Sequence, residues 1–286
     1  MRVLIVGHGF VGTAVEYGFI NNDIDIIDPK YSKGLDWEHI NPTDYKIVFI
    51  CVPTPMSQDG SCDSSILDKV MKRFQYANKD SLTDQCIVIK STVTPKTIQK
   101  YINWSGVIYN PEFLTEKSAN EQFVDPQFHI FGGREQDCKL LQYYYETYSL
   151  CNPCPVHIMS LEEASFTKYA INSFLATKVT FFNQLYEAVE LQGCNFQKII
   201  KAVGSDKRIG HSHTKVPGFD NKKGYGGACF PKDTSAITKE FNLLTLIDEC
   251  VKINNDYRKQ YSLDEREVEQ HVNYGQTEKE QQDSIH

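Results

Sequence analysis

Short, β-branched apolar runs alternate with helical stretches along the first half of the chain. Arg2–Val6, Ile24–Asp28, Lys46–Val52, Gln85–Lys90 and Gly106–Tyr109 are each punctuated by glycine, proline or aspartate, the pattern of buried strands. Between two of them, Ser64–Tyr76 places Ile66, Val70 and Phe74 at helical spacing, which predicts a helix with one apolar stripe. The tyrosines at 143–145 and 148 predict a further helix packed on the sheet. Parallel strands need helical crossovers, so the alternation predicts an α/β fold with a Rossmann-type, doubly wound parallel sheet covered on both faces. The connection from Asp28 to Lys46 is the exception, because Pro29 and Gly34 interrupt it and no helical pattern fills it.

From Leu161 the pattern changes to one long helix, LEEASFTKYAINSFLATKVTFFNQLYEAVELQG, ended by Gly193 in a C-cap position. Helices are also predicted at Phe196–Ala202 and from Leu243 to about Tyr261, separated by a loop rich in glycine and lysine. The expectation is a Rossmann-type domain over residues 1–155, followed by a mainly helical second domain over 156–262. Beyond Ser262 the chain is charged, rich in glutamine and poor in core residues, which predicts a disordered tail over 263–286.

Composition narrows the function classes. The 286 residues are 41% hydrophobic, enough for a full core, and the net charge of −7 with no long basic run argues against a nucleic-acid surface. No apolar run is long enough to span a bilayer, and the N-terminus reaches Gly7 too early for a signal peptide, so no membrane association and a cytoplasmic location are expected. Nine scattered cysteines fit reduced thiols better than a disulfide framework. Cys151 and Cys154 have CxxC spacing, but no second pair completes a zinc site, and His211 and His213 lie in a loop; no metal is expected.

Two constellations carry chemistry. Gly7-His8-Gly9-Phe10-Val11-Gly12 follows a strand and opens a helix. Its first glycine suits a tight turn, its second a close approach by pyrophosphate, its third helix-strand packing. A purely structural turn is the alternative, but Asp28 ends the next strand about twenty residues on, where an acid binds adenosine ribose hydroxyls and repels a 2′-phosphate. NAD is therefore the expected cofactor.

The second constellation is GYGGACFPKD, Gly224 to Asp233. Gly224, Gly226 and Gly227 permit unusual backbone angles just before Cys229, and Pro231 suits the first turn of a following helix. A thiol at a helix N-terminus beside Lys232 is stabilised as thiolate, and Asp233, one turn on, can orient the thiol or a water. On spacing alone, a nucleophile and an inert cysteine after a flexible loop stand level.

These motifs occur with VPTP at Val52, STVTPKT at Ser91, NPEFLTE at Asn110, KYAINSFLATKVTFFN at Lys168 and RIG at Arg208. In that order, from Met1 to about Arg258, the chain resembles the UDP-glucose/GDP-mannose dehydrogenase family, and most closely its members that act on UDP-glucose. The resemblance implies a four-electron oxidation of a nucleotide sugar's C6 alcohol to a carboxylate with two NAD, through a thiohemiacetal and a thioester on Cys229. It implies that Lys168 and Asn172 stabilise oxyanions and that Thr92 and Asp233 position a water. Glu112 is implied as the base for thioester hydrolysis. Lys30, Val52, Pro53, Thr54, Thr92 and Glu116 join Gly7, Gly9, Phe10, Val11, Gly12 and Asp28 around the cofactor. The implied substrate contacts are Glu112, Phe113, Leu114, Lys168, Asn172, Arg208, Tyr225, Gly226 and Gly227, and the implied assembly is a homodimer through the long central helix.

Members of that family usually continue into a third, nucleotide-closing domain, which is expected to be lacking here; contacts to the base are then in question. The alternatives are a dehydrogenase for GDP-mannose or a UDP-linked amino sugar, a two-electron hydroxyacid dehydrogenase, for which Cys229 has no use, and a silent NAD-binding partner of a full-length enzyme.

Overall fold

The computed structural model describes residues 1–74 and 84–276. Its helices and strands follow the predicted alternation. The strands are β1 (Arg2–Val6), β2 (Asp23–Ile27), β3 (Ile47–Ile50), β4 (Cys86–Ile89), β5 (Val107–Tyr109), β6 (His129–Gly132) and β7 (Val156–Met159). The helices among them are α1 (Phe10–Gly18), α2 (Ser65–Phe74), α3 (Pro95–Ile98), α4 (Ala119–Val124) and α5 (Glu135–Tyr148). There follow α6 (Leu161–Leu191), α7 (Phe196–Gly204), α8 (Phe230–Glu240), α9 (Thr245–Arg258) and α10 (Glu265–Glu269).

Seven strands form one sheet in the order β2-β1-β3-β4-β5-β6-β7, parallel throughout except where β5 meets β6. Because side chains alternate along a strand, each run feeds two cores. Leu4, Val6, Val48, Ile50, Ile87 and Ile89 pack with Leu67, Val70, Met71 and Phe74 of α2. Val3, Ile5, Ile47, Phe49 and Val88 pack with Ala14 and Val15 of α1, Phe123 of α4 and Leu141 and Tyr145 of α5. The strand order reverses at β1, which has β2 on one side and β3 on the other; the carboxyl ends at such a reversal are where a dinucleotide binds in doubly wound sheets.

The molecule divides into two units, Met1–Thr54 with Asp63–Lys168, and Pro55–Cys62 with Tyr169–His286. This corrects the expected boundary at residues 155 and 156. β7 pairs with β6 and so belongs to the sheet, and the division falls inside α6. A short excursion of the chain, residues 55–62, joins the second unit: Met56 N–H donates to Gln270 O, and Ser235 Oγ to Gly60 O at 2.8 Å.

Several local expectations also change. Ile66 is 39% exposed, the buried stripe of α2 being Leu67, Val70, Met71 and Phe74; Tyr76, at the end of the expected helix, lies outside the described residues. The 28–46 connection, by contrast, is as expected: it holds no α-helix, only single 3-10 turns at Trp37–His39 and Pro42–Asp44. The expected disordered tail is overturned over 264–274: α10 carries a full capping box between Asp264 and Glu267, and Glu267, Val272 and Tyr274 are buried. Residues 277–286 of that tail lie outside the described residues. No helix among the described residues is long and apolar enough to cross a membrane.

Candidate active site

In the first unit the glycine motif turns the chain from β1 into α1. Gly7 has φ +93°, and a Cβ there would lie 2.6 Å from Cys51 O, while a Cβ on Gly12 would collide with Gly7 O. Gly9, the N-cap of α1, has nothing within 4 Å of where its Cβ would be. The first and third glycines are thus demanded by backbone packing, and the second leaves the helix N-terminus bare, as a pyrophosphate requires. Asp28 Oδ2 accepts His8 N–H at 2.7 Å and its Oδ1 accepts Lys30 N–H at 2.7 Å. The carboxylate therefore ties the glycine loop to the end of β2, with lone pairs left for ribose hydroxyls.

At the carboxyl ends of β3 and β4 the loops are cross-linked. Thr54 Oγ1 donates to Thr92 O at 2.7 Å, and Ser91 Oγ to Val52 O at 2.6 Å. Val52, Thr54 and Thr92 are buried and Pro53 is exposed. These residues, with Phe10 and Val11 on the first turn of α1, fit a dinucleotide lying across the strand-order reversal.

The loop after β5 holds Glu112. Its Oε2 accepts Leu114 N–H at 2.7 Å, and Lys168 Nζ, 2% exposed, donates to Glu112 O and lies 3.4 Å from its Oε1. The same ammonium lies 5.0 Å from the centroid of the Phe113 ring. Lys90 and Asn110 stand behind this loop. Lys90 Nζ donates to Asn110 Oδ1 at 2.9 Å, Tyr145 Oη donates to the same oxygen at 2.9 Å, and Asn110 Nδ2 donates to Ile130 O at 3.1 Å. Burial lowers the Lys90 pKa, and burial together with the charge of Lys90 brings His129 down to about 4, so this histidine is neutral at neutral pH. Lys90, Glu112, Phe113, Leu114, Phe128 and His129 are among the walls of a cavity of about 240 Å³. The backbone of Glu116 is in a 3-10 turn; its side chain lies outside the described residues.

In the second unit Cys229 is the N-cap of α8, with Pro231 in the first turn. The thiol residue is half-buried, and its carbonyl accepts Asp233 N–H at 2.9 Å. Asp233 is fully buried; its Oδ1 accepts from Lys232 Nζ at 2.6 Å and its Oδ2 from Asn172 Nδ2 at 2.6 Å. Burial works against the Lys232 charge, but Asp233 and the thiols of Cys229 and Cys62 outweigh it and raise the Lys232 pKa. A cation is thereby held one turn into the helix beside the thiol.

Lys168 and Asn172, one turn apart on α6, have different partners, Glu112 and Asp233, rather than a common acceptor. Arg208 is 88% exposed at its side chain and forks onto Asp206. Tyr225 is 4% exposed, and its hydroxyl lies 3.2 Å from Thr234 Oγ1. Gly226 is required by its own unit, because a Cβ there would collide with Arg258 and Glu267; Gly227, φ +79°, faces open space. Sequence reasoning passed over Lys90, Arg258 and Glu267. The capping pattern Asp264-Glu265-Arg266-Glu267 was a usable signal for the last of these.

Among the described residues no group of three or more His, Cys, Asp or Glu is placed to hold a metal, and none of the nine cysteines is in a disulfide.

Comparison with known proteins places this geometry. The UDP-glucose/GDP-mannose dehydrogenase family, NAD binding domain, is matched over residues 30–150, and the same family's central domain over residues 162–256. The UDP-glucose 6-dehydrogenase of Pseudomonas aeruginosa is 33% identical over 286 residues, a match covering 84% of this chain and 61% of that protein. That of Rickettsia typhi is 31% identical over 278 residues, covering 83% and 62%. The chain thus spans about three fifths of the length of these curated relatives. A UDP-glucose dehydrogenase structure from the archaeon Pyrobaculum islandicum is 25% identical with a TM-score of 0.74, covering 91% of this chain and 69% of that one. Both family regions lie on the units that carry the dinucleotide turn and the α8 thiol, so this chain, with an NAD-binding first unit, belongs to the UDP-glucose/GDP-mannose dehydrogenase family.

Proposed function

We propose that the chain oxidises the C6 alcohol of a nucleotide sugar, UDP-glucose first among them, to the carboxylate. The observation that carries this reading is the placement of Cys229 at the N-cap of α8, with Lys232 and Asp233 following on that helix and Asn172 of α6 donating to Asp233. A two-electron alcohol dehydrogenase has no use for a thiol held in this way.

Gly7, Gly9, Gly12 and Asp28 would hold NAD, which when bound would supply the hydride acceptor for both oxidations at C6. The other steps fall to this chain's side chains. After the first oxidation Cys229 Sγ adds to the aldehyde carbon, forming an S–C bond and placing the former carbonyl oxygen on a tetrahedral centre that again carries a C–H bond. The second oxidation turns this thiohemiacetal into a thioester. A water then adds to the thioester carbon, the S–C bond breaks, and the thiolate leaves; Glu112 takes the water's proton. Per sugar, one water is consumed, two NAD are reduced and three protons are released at neutral pH. Lys168 and Asn172 supply N–H donors for oxyanions on the reacting carbon, which low-dielectric surroundings strengthen. Thr92 and Asp233 orient the water, Lys30, Val52, Pro53, Thr54 and Glu116 line the cofactor, and Phe113, Leu114, Arg208 and Gly227 contact the substrate. The exposed rings of Phe174 and Phe181 support a homodimer formed through α6.

The deciding measurement is NADH formed per sugar consumed, with a panel of UDP- and GDP-linked sugars. Two equivalents are expected. One equivalent would indicate an alcohol dehydrogenase, and none with any sugar would indicate an NAD-binding partner without catalysis of its own.

A further inference from the structure

The residues that lead into Cys229 are held by side chains from three helices. Asn183 Oδ1, on α6, accepts Gly224 N–H at 3.0 Å. Asn254, on α9, brackets Tyr225, accepting its N–H at 2.6 Å and donating to its carbonyl at 3.0 Å. Glu267, on α10, accepts Gly227 N–H at 3.1 Å. Every described backbone anchor in this run comes from a buried side chain, and the last anchor stands two residues before the thiol.

Glu267 is itself fully committed. Its Oε1 also accepts from Arg258 Nη2 at 2.7 Å and from Tyr274 Oη at 2.7 Å, and its Oε2 accepts Asp264 N–H at 2.9 Å. Arg258 turns its other nitrogen to Asp220 Oδ2 at 2.6 Å. Glu267 is 0% and Arg258 1% exposed, and their paired groups occupy the space that a Cβ on Gly226 would take. A buried ion pair is a weak source of stability compared with apolar packing of the same volume, so its distinguishing contribution is geometric. Here that geometry is aimed at the loop. Arg258, Glu267 and Tyr274 all lie beyond residues 162–256, the match to the central domain.

We infer that Glu267 is a positioning residue for the nucleophile: through Gly227 N–H it fixes the backbone before Cys229 and so sets how the thiol is presented at the start of α8. This rests on the reading of Cys229 as the attacking group. Arg258 and Tyr274 act through Glu267 by holding its Oε1 in place.

The test uses the full chain carrying Glu267→Gln or Tyr274→Phe. Iodoacetamide alkylation of Cys229 at pH 7 is followed by peptide mass spectrometry, with the exposed Cys194 as internal reference. The expected result is slower alkylation of Cys229 by about threefold or more in both variants, with Cys194 unchanged. An unchanged Cys229 to Cys194 ratio in folded variants overturns the inference, including when the melting temperature falls, because a purely stabilising role lowers stability without touching the ratio. Should Glu267→Gln fail to give a native circular dichroism spectrum, the ratio in Tyr274→Phe decides by the same criterion. If the unmodified chain forms no NADH with any sugar, the dehydrogenase reading fails while the alkylation ratio still decides the role of Glu267.

Discussion

Cys229 illustrates how little of a residue's chemistry resides in the residue. In the proposed reaction a half-buried thiol acts as the nucleophile, with the amide dipoles of α8 and the Lys232 ammonium, itself paired with Asp233, placed to favour its thiolate. Replacing it by serine nearly keeps the size but exchanges sulfur for a far weaker oxygen nucleophile. Cys229→Ser is therefore expected to bind NAD with unchanged affinity, measured by titration calorimetry, and to make no sugar acid. Acid formation at the normal rate would remove the covalent route. The Cys229 motif was legible as a string because Gly224 and Gly227 take positive φ and Pro231 suits a helix start, which are local demands of the backbone. For Tyr225, inside the same motif, nothing local reveals that its ring lies 6.2 Å from that of Phe230 and that its hydroxyl reaches Thr234. Lys90 escaped notice for a related reason. A lysine closing an apolar strand reads as a solvated end, and only the fold buries it against Asn110.

At the scale of elements, the segment carrying α10 shows composition and local chemistry in conflict. Charge and glutamine content point to disorder, whereas the Asp264–Glu267 capping box points to a helix start. The box prevails because Glu267 also has Arg258 and Tyr274 to meet. Burial opposes the ionised form of Glu267, but hydrogen bonds from Asp264, Tyr274 and Gly227 and the charge of Arg258 hold its carboxyl below the ordinary glutamate range. A depressed folded-state pKa contributes stability above the unfolded value, near 4.5 for glutamate, and loses it as pH falls through the folded value. Thermal melts of the native chain are therefore expected to be most stable at pH 7 to 8, to begin falling below about 6.5 as the unfolded chain protonates His129, and to fall further below the unfolded glutamate pKa. Glu267→Gln is expected to cost about 3 kcal/mol at pH 7, a difference that shrinks as the pH falls below 4. A constant difference from pH 7 to pH 3 would show that the charge of Glu267 is not what the pair depends on. α6 makes a parallel point: its buried stripe includes Lys168, Asn172 and Asn183, polar residues that a hydrophobic pattern assigns to solvent.

At the scale of the whole molecule, the exposed aromatic rings on α6 bear on assembly. Phe174 is 67% and Phe181 57% exposed, two turns apart on one face, and a large exposed apolar patch commonly marks an interface. Light scattering is expected to give about twice the chain mass of 32.8 kDa, and Phe181→Glu is expected to give the single-chain mass; a native chain that runs as a monomer would remove the proposed dimer. The sequence by itself determined the first five strands, the glycine turn of the dinucleotide site, the long helix and the helix start at Pro231, because each depends on residues close together in the chain. Tertiary structure alone decided that residues 55–62 join the second unit, that Lys168 takes Glu112 while Asn172 takes Asp233, and that Glu267 anchors Gly227 from forty positions away. Those contacts join residues far apart in the chain, and a pattern of polarity records whether a side chain is buried but not which buried partner it meets.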